Sequence, residues 1–238
     1  MAEIGKKIEI RKLSPKNFPP LLREIPDPPK ALYLRGALPP PETKLLTVVG
    51  SRRMSRYGKD ACEYLIKGLA GYPVAVVSGL ALGVDATAHK AALEAGLPTV
   101  ALPGSGLMDE VLYPSSNRGL AREILEAGGG LLSEFEPDEK TMLHFFPQRN
   151  RIMAGMSHAV LIIEAGLKSG TLITAKLATE YNRELLIVPH SIFAEGGAGG
   201  HIFMKLGAAP ARNADDILEA LGIEKTAVQK EISLTKEE

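Results

Sequence analysis

Cysteine is almost absent from this chain: Cys62 stands alone among 238 residues. A single thiol excludes an internal disulfide framework and a thiolate metal site. Net charge is missing as well, because 28 Lys and Arg residues balance 28 Asp and Glu residues. The whole chain therefore offers no long-range field, and any polyanion must be held by cations clustered locally. Long apolar runs are lacking too, and nothing approaches the roughly 20 residues of a membrane span. The opening stretch MAEIGKKIEIRKL has no apolar signal-peptide core. These absences predict a soluble, cytoplasmic protein with no membrane partner. There is no internal repeat and no low-complexity segment.

What is present falls into three parts. Residues 1–43 form a proline-rich N-terminal arm, in which Pro19, Pro20, Pro26, Pro28, Pro29, Pro39, Pro40 and Pro41 break any long helix. Within it, residues 31–34 make a short strand that ends at Gly36. The arm either lies on the main domain or serves as a flexible linker. Residues 44–222 alternate strand and helix patterns, and residues 223–238 are a polar C-terminal tail. Strands are expected at 45–49, 74–78, 99–102, 131–133, 159–163 and 185–188. The helices between them carry inward stripes of Ala61, Tyr64, Leu65, Gly68 and Leu69, then Ala88, Ala91, Ala92 and Ala95. Leu120, Ala121, Ile124 and Leu125 follow, with Asn117 as N-cap. A short helix covers 149–154, and a last stripe is Ile173, Leu177 and Tyr181. Strands joined by helices of this length require right-handed parallel crossovers. The fold class is therefore α/β, a doubly wound, mainly parallel sheet carrying the proline-rich arm.

Ligands on such sheets bind beyond the carboxyl ends of the strands, which directs attention to the loops there. The stretch SGLALGVDATAHKAAL, residues 78–93, joins a β-branched strand to a small-residue helix. Its Gly79 and Gly83 allow positive φ and leave N–H groups uncovered. A helix N-terminus presented in this way is an anion site, although the same turn suits a tight connection with no ligand. Around it, Arg52, Arg53, Arg56 and Lys59 crowd the first loop. Arg149 and Arg151 sit in QRNRI, and Lys168 precedes Ser169, Gly170 and Thr171. Arginine offers a planar fork for phosphate, and cations on three loops of one sheet edge point to a shared groove for a multi-phosphate ligand.

Other signatures fail. The stretch GSRRMSRYGKD has Arg53 and Asp60 where a P-loop needs glycine and a hydroxyl. No GxGxxG opens a helix, so no nicotinamide or flavin cofactor is expected. Five scattered histidines show no ligand pairing, so no metal is expected. Asp85 and His89 are spaced as an acid–base pair, but the simpler reading is that Asp85 caps its helix and His89 fixes the loop. No Ser-His-Asp order stands out.

The succession VVGSRRMSRYG, VVSGLALGVDATAHKAAL, LPGSGLMDEVLYPSSNRGLA, LLSEF, FPQRNRIMAGMSHAVLIIEAGLKSGTLITAKLA and VPHSI resembles the DNA-processing protein A family, also called Smf. The resemblance covers about residues 18–221, and even the arm, FPPLLREIPDPPKALYLRG, is similar. It implies a Rossmann-like domain that binds single-stranded DNA, forms a homodimer, and helps load the RecA recombinase during natural transformation. No enzymatic turnover and no cofactor are implied. Gly50, Ser51, Arg52 and Arg53 then correspond to the phosphate-binding loop after the first strand, and Gly79, Ala81 and Gly83 supply backbone at the central turn. Phe146 corresponds to a base-contacting aromatic, with Arg149, Asn150 and Arg151 as polar residues of the same groove. Lys168, Ser169, Gly170 and Thr171 resemble the loop that closes the pocket. Such binding is backbone-directed and tolerant of sequence. The final NADDILEALGI resembles the family's closing helix, with Asn213 as N-cap.

There are departures. Leu143 stands where members often have a basic residue, which implies weaker DNA binding. His190 replaces a usual glycine, and Gly199, Gly200 and His201 replace a GSN motif, leaving the role of that loop open. The winged-helix and helical N-terminal domains of many members do not appear in the chain, so duplex recognition is not assumed. The rival reading is a nucleoside-monophosphate-binding enzyme of the phosphoribohydrolase (lysine-decarboxylase-like) type, whose PGGxGTxxE glutamate supplies acid–base chemistry. Gly170 and Thr171 fit that motif, but Thr174 takes the place of the glutamate.

Overall fold

A computed structural model describes residues 8–224. In chain order it contains β1 (Ile10–Leu13), β2 (Leu32–Gly36), β3 (Lys44–Val49), α1 (Arg56–Lys67), β4 (Val74–Ser78), α2 (Val84–Glu94), β5 (Thr99–Ala101) and α3 (Arg118–Glu126). There follow β6 (Gly130–Ser133), α4 (Phe145–Met156), β7 (Ala159–Ile162), α5 (Thr171–Glu180), β8 (Glu184–Ile187), α6 (Ala198–Lys205), β9 (Ala209–Pro210) and α7 (Ala214–Ala220). The strands form one sheet in the order β1-β2-β6-β5-β4-β3-β7-β8-β9. From β6 to β9 all neighbours run parallel, while β1 and β2 add antiparallel at one edge. This is the Rossmann-like, doubly wound α/β architecture. Its winding reverses between β3 and β7.

The burial pattern follows from the period of two along each strand. On β3, Leu45 and Val49 pack into the cluster shared with α4 and α5, whereas Leu46 and Val48 face α1 and α2. Ala75 and Val77 alternate in the same way with Val74 and Val76 on β4. A sheet covered on both faces needs such continuous apolar runs. Part of the proline-rich segment belongs to this core: Phe18, Leu22, Ile25, Leu32 and Leu34 are buried in the α4–α5 cluster. Arg183 fastens it further by donating from Nη2 to the carbonyls of Leu21 and Gly155. Most of the polar tail, residues 225–238, lies outside the described residues.

Several helix faces differ from the sequence expectation. In α1 the buried residues include Cys62, Leu65 and Ile66, with Leu69 just beyond, while Tyr64 is 64% exposed. The apolar period fits two stripes one residue apart, and the one chosen keeps the tyrosine hydroxyl in water. In α5, Thr174, Ala175 and Ala178 are buried and Ile173 is 43% exposed, because small residues let α5 approach α4. The 149–154 helix extends to Phe145–Met156. Asn117 does not cap α3; its Nδ2 donates instead to the carbonyls of Leu80 and Ala81. Asn213 does cap α7, accepting from the Asp216 N–H at 3.1 Å.

Candidate functional site

At the point where the winding reverses, the loops after β3 and β7 diverge and leave a crevice between them, as the topology requires. The cavity there measures about 870 Å³. Residues 50–53 form one wall and Lys168, Ser169, Gly170 and Thr171 the other, with Ala81, Phe146, Arg149 and Asn150 between them. Helix geometry explains the α4 contribution. Phe146, Arg149, Asn150 and Met153 follow the i, i+3, i+4, i+7 rule and share one face, and all four line the cavity.

Arg151 is two positions from Arg149, which places it on a different side of the helix. It leaves the groove altogether. Its Nη2 is held by both oxygens of Glu134 at 2.6 and 2.7 Å, and its Nη1 donates to the Asp27 carbonyl. Arg151 thus ties α4 to the N-terminal segment and does not belong to the crevice.

The floor is a buried polar set. Arg149 is 6% exposed and donates from Nη1 to the Leu102 carbonyl at 2.6 Å, while its Nε is buried without a partner. Burial pushes its pKa down to about 10; Asp85 opposes that shift and Arg52 adds to it. Asp85 does not cap α2, whose N-cap is Gly83 without a side-chain bond. Its Oδ2 instead accepts from the N–H groups of Gly79 and Ala81 at 3.1 and 3.4 Å, which fixes the turn. Burial raises the Asp85 pKa, against the favourable charge of Arg149.

Gly79 is required here for space rather than for positive φ. A Cβ at that position would fall 1.7 Å from Arg149 Nη1 and 2.6 Å from Asp85 Oδ2. The left-handed residues of the turn are Leu80, at φ 57°, and Gly83, at φ 73°. Gly83 does not line the cavity. A Cβ on it would strike the carbonyls of Ser51 and Arg52, so it serves as the seat of the first loop.

Above this floor the cations lie open. Arg52 is exposed, with its guanidinium 4.8 Å from the Phe146 ring centre, a cation–π contact. Tyr113 tilts against Phe146, with ring centres 5.9 Å apart. Ser51 Oγ accepts from the Arg53 N–H and Ser169 Oγ from the Thr171 N–H, so both walls are ordered turns at helix entrances. None of the ion pairs among the described residues involves Arg52, Arg53 or Lys168. Thr174 Oγ1, 1% exposed and lining the cavity, has no partner. Cations held in no ion pair, N–H groups at helix starts and one aromatic face suit a phosphate chain bearing a planar base.

Sequence reasoning did not select Tyr113, Met153 or Thr174 as site residues. For Met153 the spacing from Phe146 carried the signal; Tyr113 has none short of the fold. The departures also find places. His190 Nε2 lies 2.8 Å from the Ile163 carbonyl, and His201 Nε2 lies 3.1 Å from the His190 carbonyl, so both histidines anchor the loop after β8. Leu143 is 89% exposed just ahead of α4. Among the described residues no group of His, Cys, Asp and Glu is placed to hold a metal ion. No helix among them is long and apolar enough to cross a membrane.

The sequence pattern of the family described as DNA recombination-mediator protein A matches residues 9–222. Protein Smf of Escherichia coli K12 is 41% identical over 204 residues, which is 86% of this chain and 54% of that protein. The chain thus spans little more than half of that relative's length. The structure of DNA processing protein A from Streptococcus pneumoniae superimposes with a TM-score of 0.83 at 34% identity, covering 92% of this chain and 77% of that one. A structure concerned with the single-stranded DNA binding mode of DNA processing protein A from Helicobacter pylori gives a TM-score of 0.77 at 31% identity, covering 90% and 96%. A family match that takes in every loop of the crevice, joined to this likeness of fold, makes the chain a member of the DNA-processing protein A (Smf) family.

Proposed function

We propose that the crevice binds the backbone of single-stranded DNA, with a base stacked on Phe146. The protein then protects the incoming strand and passes it to the RecA recombinase, acting as a cytoplasmic homodimer in natural transformation. The observation that carries the reading is the open, uncommitted cation set, with Arg52 poised over the Phe146 face. Arg52, Arg53 and Lys168 can each meet a different phosphate, and stacking of one base contributes about 1–3 kcal/mol without reading sequence. The RecA and homodimer parts rest on the family resemblance and on the family's description as a recombination mediator.

The role is binding rather than turnover. Thr174, buried and without a carboxylate, stands where the phosphoribohydrolase reading needs a glutamate. Competition against a labelled single strand tests the proposal: an unlabelled oligonucleotide displaces it at far lower concentration than a nucleoside monophosphate, which is left intact. Equal potency of the mononucleotide, or release of its base, contradicts the DNA reading and favours the hydrolase.

A further inference from the structure

The loop after β8, residues 189–197, stands beside the crevice and presents two large apolar side chains to water. Phe193 is 90% exposed and Ile192 83% exposed, and on the neighbouring crevice wall Leu167 is 64% exposed. The chain has six phenylalanines. Phe18, Phe135 and Phe145 are buried, and Phe203 packs against the core. Exposed apolar side chains that stand together, unlike ones scattered singly, mark a surface that meets a ligand or partner.

This loop is built rather than loose. Ser191 Oγ accepts from the Phe193 N–H, and the Ser191 carbonyl accepts from the Ala194 N–H. Tyr57 Oη donates to the Pro189 carbonyl at 2.7 Å, and the Tyr57 ring meets His190 edge-on at 4.9 Å. At its far end the Gly196 carbonyl accepts from the Ala165 N–H at 2.7 Å. That bond fastens the loop to the segment running through Gly166 into Lys168, which is the crevice wall. A Cβ on Gly197 would fall 2.2 Å from that of His190, so the bulky histidine is admitted by the glycine facing it.

We infer that Phe193, with Ile192, is a second base-stacking ledge, which receives a nucleobase of the same single strand after its backbone passes Lys168. The inference rests on the DNA reading of the crevice and extends it. The track is continuous. The loops after β3, β7 and β8 stand side by side on one sheet edge, spread over two strand spacings, about 10 Å. Arg52 and Phe146 begin the track, Lys168 offers charge in the middle, and the apolar ledge ends it. Phe193 is outside the crevice, so it serves only strands long enough to leave it.

The chain contains no tryptophan, which makes a clean reporter possible. Labelled oligothymidylates of graded length are titrated by anisotropy into the wild type, Phe193→Ala and Phe193→Trp. The shortest strands bind all three alike. Longer strands bind Phe193→Ala about tenfold more weakly, within the range of one stacked base. Phe193→Trp restores affinity, and its indole fluorescence is quenched by the long strands only. Equal affinities at every length with no quenching overturn the ledge while leaving the crevice reading intact. A change in sedimentation of Phe193→Ala without any change in DNA affinity also overturns it, assigning the apolar pair to a contact between proteins. Failure of the wild type to bind any strand overturns the crevice reading itself.

Discussion

At the scale of single residues, the site depends on polar groups held almost wholly out of water. Asp85 holds the turn through two N–H groups, and Arg149 fills the space that only a glycine at position 79 leaves. Behind them His89 is fully buried, with Nδ1 2.7 Å from Thr99 Oγ1 and Nε2 without a partner. Since Thr99 Oγ1 donates its own proton to the Val76 carbonyl, Nδ1 carries the hydrogen in the bond to it. Burial lowers the His89 pKa from 6.5 to about 3. The unfolded chain therefore takes up a proton first as pH falls, and stability present above about pH 6.5 is lost progressively toward pH 3. Urea unfolding at pH 7 and pH 5 checks this. Wild type is predicted to lose about 2 kcal/mol more than His89→Asn over that interval, because contributions from Asp85 and other carboxyls are common to both. Equal losses contradict a histidine kept neutral by the fold.

At the scale of elements, the central strands were legible in the sequence, whereas the short edge strands β1 and β9 were not, and the helix faces were legible only in part. Strands buried on both sides leave dense β-branched runs, as in residues 74–78, and the observed bounds fall close to those expected. For α1 the apolar residues fit two adjacent stripes, and only packing selects Cys62 and Ile66 over Ala61 and Tyr64. The loops of the site were legible because glycine, hydroxyl and basic residues gather at the carboxyl ends of strands. Arg151 was misplaced because a motif read as a string ignores the turn of the helix. Asn117 was read locally as a cap, whereas its amide crosses to the carbonyls of Leu80 and Ala81. Those two bonds brace the left-handed Leu80 from outside the turn. Asn117→Ala is predicted to destabilise the protein by about 1–2 kcal/mol in chemical unfolding. Asn117→Asp, which sets an acceptor-only carboxylate against two carbonyls, costs more. An aspartate variant as stable as wild type contradicts the brace.

At the scale of the whole molecule, a chain of zero net charge must place its cations locally to hold a polyanion. The sheet does so at its reversal point: Arg52 and Arg53 arrive from β3 and Lys168 from β7, and their parallel pairing keeps both loops at the same end. Several arginines and lysines elsewhere are spent on carboxylates, as Arg35 is on Asp109 and Arg212 on Asp216. Three uncommitted cations at one groove set the expected scale of the response to salt. The most direct measurement is an anisotropy titration of a labelled single strand across a salt series, with wild type beside Arg52→Ala. Three neutralised phosphates give a log–log slope near −2, at roughly 0.7 per phosphate. Arg52→Ala, which removes one phosphate contact and the charge over Phe146, is predicted to bind about tenfold more weakly with a slope shallower by about 0.7. Absence of binding at low salt, or an Arg52→Ala protein with unchanged affinity and slope, would contradict a single-strand groove at the sheet's reversal point.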